Sequence, residues 1–170
     1  FSDITSIFSF DYLLTESFDT YNSLVTVVDQ NIVTYGYQLL GVIFFFIPRE
    51  FWDSKPVGSG AYIAALNDLD WRNISLNYYG EAFINFGYIG VLLFVLILGL
   101  SIRYLELIDL RMLTSRRKFN MFVIFYLIMV PYIFFIMRGD LLSSVSYLAS
   151  MGVAVIITIF IEVKFTWKHN

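Results

Sequence analysis

Three uncharged apolar runs dominate the second half of the chain, at 82–102, 120–137 and 141–161. At ~1.5 Å per residue each helix would extend about 27 to 32 Å, the thickness of a bilayer's hydrocarbon core. The pattern therefore predicts three C-terminal transmembrane helices. The first half has no such run. Its most apolar stretch, 39–47, is closed by Pro48 and is too short to cross. That length suits a re-entrant or interfacial segment. Around it, Phe8, Phe10, Tyr12, Phe18 and Tyr21 alternate with Ser, Thr, Asn and Asp, and Gly and Pro punctuate 55–60. An aromatic content of this kind predicts ordered short helices, not a disordered linker.

Charge sets the orientation. Segment 103–119 holds Arg103, Arg111, Arg116, Arg117 and Lys118 against Glu106 and Asp109. Short loops rich in Lys and Arg stay in the cytoplasm. The tail, with Lys164 and Lys168, falls on the same side, whereas Arg138-Gly139-Asp140 and residues 1–81 fall outside. The outer region carries three basic side chains (Arg49, Lys55 and Arg72) against ten acidic ones, and 82–170 carries eight against four. The expected organisation is an all-α polytopic membrane protein. Residues 1–81 form an external region, and 82–170 form three spans with a cytoplasmic loop at 103–119. An outside start without the basic n-region of a signal peptide implies upstream spans, so the chain reads as the C-terminal part of something larger.

Composition agrees: the 170 residues are 58% apolar, 19% aromatic and only 15% charged, with a mean hydropathy of +0.71. A soluble domain has roughly a quarter charged residues. The absence of cysteine excludes disulfides, thiolate metal sites and cysteine nucleophiles within this chain. A single histidine, His169, excludes a histidine-rich metal site and a Ser-His-Asp triad. No nucleotide-binding fingerprint or nucleic-acid-binding basic patch is present, and no cofactor is implied.

Four external cations remain as chemistry. Arg138 stands at the outer end of the second run, where it pairs with Asp140, meets headgroups or binds an anion. Arg49 and Lys55 flank Phe51, Trp52 and Asp53. This group suits a lipid phosphate or diphosphate, with Trp52 against a sugar face, or else an ordinary aromatic belt. Glu81 opens the first span with Asn85 and Tyr88 on the same helical face. It is either a helix-starting acid or a base in an outward cavity. Gly80, Gly87, Gly90 and Gly99 suit close helix packing. Gly58-Ser59-Gly60 reads as a turn, since a P-loop needs its lysine. Arg138-Gly139-Asp140 as an adhesion tripeptide and Asn73-Ile74-Ser75 as a glycosylation acceptor are incidental matches.

Two stretches carry a resemblance: Ile47-Pro48-Arg49-Glu50-Phe51-Trp52-Asp53-Ser54-Lys55-Pro56 with Gly60, and Gly80-Glu81-Ala82-Phe83-Ile84-Asn85-Phe86-Gly87-Tyr88-Ile89-Gly90. Together with the three spans that follow, they resemble the bacterial Wzy-type polymerases of O-antigen and capsular repeat units. An Arg, ten residues, Gly pattern is recognised in that family's large external loop, and Arg49 and Gly60 fit it. The resemblance implies a multi-pass enzyme of the cytoplasmic membrane, acting at its outer face on undecaprenyl-diphosphate-linked oligosaccharides. It would build O-antigen, capsular or exopolysaccharide beside flippase and chain-length-regulator proteins. In that reading Arg49, Lys55, Arg72 and Arg138 bind diphosphate, with Trp52 and Asn85 at the substrate. Glu81 or Asp140 orients or deprotonates the acceptor hydroxyl, which makes Glu81, Arg138 and Asp140 the expected catalytic residues. Related O-antigen ligases are expected to use an external-loop histidine, which is absent here. A flippase for lipid-linked sugars and a non-catalytic scaffold subunit are the competing readings.

Overall fold

The computed structural model describes residues 19–70, 72–114 and 121–168. Expectations resting on Phe8, Phe10, Tyr12, Phe18, Arg116, Arg117, Lys118 and His169 lie outside the described residues, as do the side chains of Arg111, Lys164 and Lys168. Among the described residues all regular structure is helical: α1 (Asp19–Asp29), α2 (Tyr37–Ile43), α3 (Ser59–Leu66), α4 (Tyr78–Thr114), α5 (Met121–Arg138) and α6 (Leu141–Lys168).

Helix α4 is broken at Phe86 (φ −142°, ψ 19°) and Gly87 (φ 61°, ψ −147°). Only glycine takes the latter geometry without steric conflict. Across the break the Tyr78 and Phe94 rings lie 5.1 Å apart, and the Tyr78 hydroxyl donates to the Phe94 carbonyl at 2.9 Å. Unbroken helix would separate residues 16 apart in sequence by about 24 Å. The short arm 78–85 and the long arm 88–114 therefore fold back on one another. Gly90 marks their closest approach, because a Cβ there would fall 2.1 Å from the Ala82 carbonyl oxygen. The break also releases carbonyls that the turn before α2 takes up. Thr34 donates to Ile84 O through N (2.6 Å) and Oγ1 (2.9 Å), and Gly36 N donates to Asn85 O at 2.9 Å.

Two helices are long and apolar enough to cross a membrane, Tyr78–Ile108 and Leu141–Thr158, with mean hydropathies of 2.4 and 1.8. Only 28% and 11% of these stretches are buried. Leu92, Leu96 and Leu100 on α4 and Val153, Ile156 and Phe160 on α6 face outward. Their hydroxyl-bearing neighbours bond to their own helix: Ser101 to Ile97 O, Ser146 to Ser143 O, Ser150 to Ser146 O and Thr158 to Ala154 O, at 2.8 to 2.9 Å. That self-satisfaction is what an apolar solvent requires of a polar side chain. Because α4 folds back, the crossing length belongs to its stretch 88–108, about 32 Å, and not to the expected 82–102. The remaining predicted span, 120–137, coincides with α5, whose Tyr126–Arg138 part forms a shorter apolar helix.

The basic segment 103–119 was expected to be a loop, yet α4 runs through it to Thr114. No Gly or Pro interrupts Arg103 to Thr114, and Arg103 pairs with Glu106 one turn on at 2.6 Å. Charge marks where a span leaves lipid, whereas a helix stops only at a stop signal. Helix α2 likewise ends at Ile43, before Pro48, and turns at Phe44 to Phe46 follow.

The short arm of α4 organises two small cores. Phe83 and Ile84 pack with Val27 of α1, Ile63 of α3 and Leu76. On the opposite side, Tyr78 and Ala82 pack with Val42 of α2, Phe94 of the long arm and Leu141 of α6.

Candidate functional site

The polar centre of the molecule lies between these cores, where helices α3 and α6 begin. Each helix start presents backbone N–H groups that lack intrahelical partners. Asp140 answers both. Its Oδ1 accepts from Leu142 N (2.9 Å) and Ser143 N (3.3 Å), capping its own helix, and its Oδ2 accepts from Gly60 N of α3 at 3.3 Å. Glu81, on the short arm of α4, joins the same two helix starts through one hydroxyl and one backbone N–H. Its Oε2 accepts from Ser59 Oγ at 2.7 Å and its Oε1 from Leu141 N at 3.1 Å. Glu81 is 1% and Asp140 8% exposed. Among the described residues the one ion pair is Arg103 with Glu106, so the helix starts, not cations, face these acids. Glycine makes the approach possible: a Cβ on Gly60 would lie 1.8 Å from Ile74 O, and one on Gly58 would lie 2.7 Å from Asp140 Oδ2.

Asn85, one turn beyond Glu81, repeats the device for α2. Its Oδ1 accepts from Leu39 N at 2.8 Å, and its Nδ2 donates to Glu81 O at 2.8 Å. It is fully buried. Tyr88, expected on the same face, lies past the break and is 75% exposed.

Beside this centre a cavity of about 260 Å³ is lined by Thr20, Ser75, Phe134, Phe135, Arg138, Gly139, Asp140 and Ser143. Arg138, in the last turn of α5, is exposed and makes no ion pair with Asp140. The cavity thus combines a guanidinium, one carboxylate edge, hydroxyls and two aromatic faces. Such a set can hold an anionic oxygen and orient a hydroxyl.

The second group of cations, in the loop between α2 and α3, bonds to the loop's own backbone. Arg49 donates to the carbonyls of Lys55 (2.8 Å) and Pro56 (3.3 Å), and Lys55 Nζ donates to those of Phe45 (2.6 Å) and Ile47 (2.8 Å). Trp52 Nε1 donates to Ser54 Oγ at 3.1 Å, and the Tyr37 hydroxyl bonds to Ser54 O. The loop is braced by its own side chains, and Pro56 packs against Gly41 of α2, where a Cβ would be 3.0 Å from it.

The structure brings Glu81, Asp140 and Asn85 into one buried network and Arg138 and Asp140 into one cavity. Arg49, Trp52 and Lys55 gather in the braced loop, and Arg72 is exposed on the segment before α4, outside the cavity lining. Sequence reasoning passed over Ser59, whose turn signal hid a bond to Glu81. It also passed over Thr20, Ser75 and Ser143, which carry no pattern of their own. Among the described residues, no three His, Cys, Asp or Glu side chains converge as metal ligands. No family model, no curated protein and no solved structure matches this chain.

Proposed function

We propose that the chain is part of a membrane glycosyltransferase that polymerises undecaprenyl-diphosphate-linked oligosaccharide units at the outer face of the bacterial cytoplasmic membrane. In this reading α4, α5 and α6 are three of its spans, and the product is an O-antigen, capsular or exopolysaccharide. The observation that carries the reading is the cavity at the turn between α5 and α6, in which Arg138, free of any ion pair among the described residues, and the edge of Asp140 meet. The resemblance in 47–60 and 80–90 supplies the reaction.

In the transfer, the hydroxyl of an incoming unit attacks the anomeric carbon of the growing chain. The bond from that carbon to the diphosphate oxygen breaks, and undecaprenyl diphosphate leaves with the electron pair. Arg138 stabilises charge growing on the leaving diphosphate. Asp140 takes the hydroxyl proton. Phe134 and Phe135 offer faces for a sugar ring. Glu81 holds the helix starts that place Asp140, and Asn85 holds α2; both act as positioning residues. Chain-length-regulator and flippase proteins are the expected partners.

The test is glycan length in cells lacking the full-length gene and complemented with wild type or Arg138→Ala at matched expression. Loss of long chains with single units retained supports the polymerase. Normal chains in the deletion strain overturn it, and loss of single units as well points to a flippase.

A further inference from the structure

The loop between α2 and α3 carries an apolar surface that the transfer does not use. Phe51, Phe46, Ile43, Leu40 and Phe44 are 83%, 66%, 54%, 43% and 40% exposed. The rings are contiguous: Phe44 meets Phe46 and Trp52 edge-on at 6.4 Å, and Phe45 meets Phe46 at 5.8 Å. In water such a knob is an aggregation liability.

Its backbone says which solvent it is built for. A turn in water leaves its carbonyls to water, whereas here four carbonyls, at Phe45, Ile47, Lys55 and Pro56, are occupied by the loop's own Arg49 and Lys55. Internal satisfaction of irregular backbone is the condition for leaving bulk water. The polar edges of Tyr37 and Trp52 are both tied back to Ser54, which leaves the rings as the outward surface. Glu50 and Asp53 are exposed beside them, and with Arg49 and Lys55 they make the loop neutral. Neutral, aromatic and cation-bearing describes a bilayer interface, where aromatic rings and snorkelling cations are enriched. The knob also adjoins the spanning helices. Helix α2 contributes Val42 to the core shared with α4 and α6, while its Leu40 and Ile43 point away from that core.

We infer that the α2–α3 loop is a membrane anchor: Leu40, Ile43, Phe44, Phe46 and Phe51 insert into the outer leaflet at headgroup depth, and Arg49 and Lys55 lie among the lipid phosphates. The anchor fixes the height of the cavity, because the same loop runs through Gly58 and Gly60 to Asp140. The inference rests on the membrane-spanning reading of α4 and α6.

The test uses full-length protein in nanodiscs of phosphatidylcholine brominated at either shallow or deep acyl positions. Trp52 is kept as the sole tryptophan, with the others, Trp71 and Trp167 among them, changed to Phe. A companion variant carries Trp52→Phe and Val153→Trp on the outward face of α6. The expected result is a blue-shifted Trp52 emission, quenched most by shallow bromines and little by aqueous iodide, with the Val153→Trp probe quenched most by deep bromines. Iodide quenching of Trp52 without bromine quenching overturns the anchor, and protection from both overturns it in favour of a protein partner. Failure of the bromines to quench the Val153→Trp probe would instead sink the spanning reading.

Discussion

Glu81 and Asp140 divide two helix starts between them: Glu81 accepts from Ser59 of α3 and Leu141 of α6, and Asp140 accepts from Gly60 of α3 and Leu142 of α6. Residues 59 sequence positions apart thereby clamp the same pair of helices, and the turn that carries Arg138 hangs from the clamp. The stability of the fold and the shape of the cavity share these oxygens.

Replacing Glu81 by Ala leaves the Ser59 hydroxyl and the Leu141 N–H unpaired in a buried site. Each orphaned donor costs about 1–3 kcal/mol, so thermal unfolding of the detergent-solubilised full-length protein should shift clearly downward. Glu81→Gln keeps an acceptor oxygen and should lose less. If Glu81 were instead the base, Glu81→Gln would unfold like wild type and fail to polymerise.

Glycine substitutions should separate by geometry. Gly60→Ala drives a Cβ to 1.8 Å from the Ile74 carbonyl oxygen, and backbone must move to relieve it. A sharp loss of folded protein on size-exclusion chromatography is expected. Gly99→Ala meets nothing within 4 Å and should be neutral or stabilising by up to about 1 kcal/mol, the usual helix preference for Ala.

Asn85→Ala removes the acceptor for Leu39 N and the donor to Glu81 O. Helix α2, with only seven residues, has little stability of its own. Amide exchange across 36–43 should therefore accelerate well before exchange in the apolar part of α6 does. Equal acceleration in both would show a global loss and contradict a local tether.

Much of this was legible in the chain. Uncharged runs located α5 and the start of α6, since lipid-length hydrophobicity is a strong signal. Glu81, Asn85 and the glycines of 80–90 also stood out by type and spacing. Their geometry did not, because Gly87 reads the same whether it packs helices or breaks one, and the contact between Tyr78 and Phe94 exists only once the helix has folded back. By type and spacing Arg49 and Lys55 suit either an external anion or an ordinary interfacial belt. Their carbonyl partners are six to ten residues away, and backbone acceptors leave no mark in a sequence. Ser59 was invisible for the same reason as its partner's role: the bond joins α3 to α4 and appears only in three dimensions.

Asp140 allows its two roles to be pulled apart. Asn caps helices about as well as Asp, so Asp140→Asn should keep the bonds to Leu142 N and Ser143 N while lacking a carboxylate to take a proton. Asp140→Ala loses both, and the caps alone should cost about 0.5–2 kcal/mol. The Asn amide nitrogen takes the place of the oxygen that accepts from Gly60 N, so the expected pattern is a modestly lowered melting temperature with single-unit glycans for Asn, and a larger loss of stability with single-unit glycans for Ala. Long glycans made by Asp140→Asn would remove Asp140 as the proton acceptor and leave it a cap, whereas equal loss of stability in both variants would mean that the carboxylate's bond to Gly60 N, and not the cap on α6, carries its share of the fold.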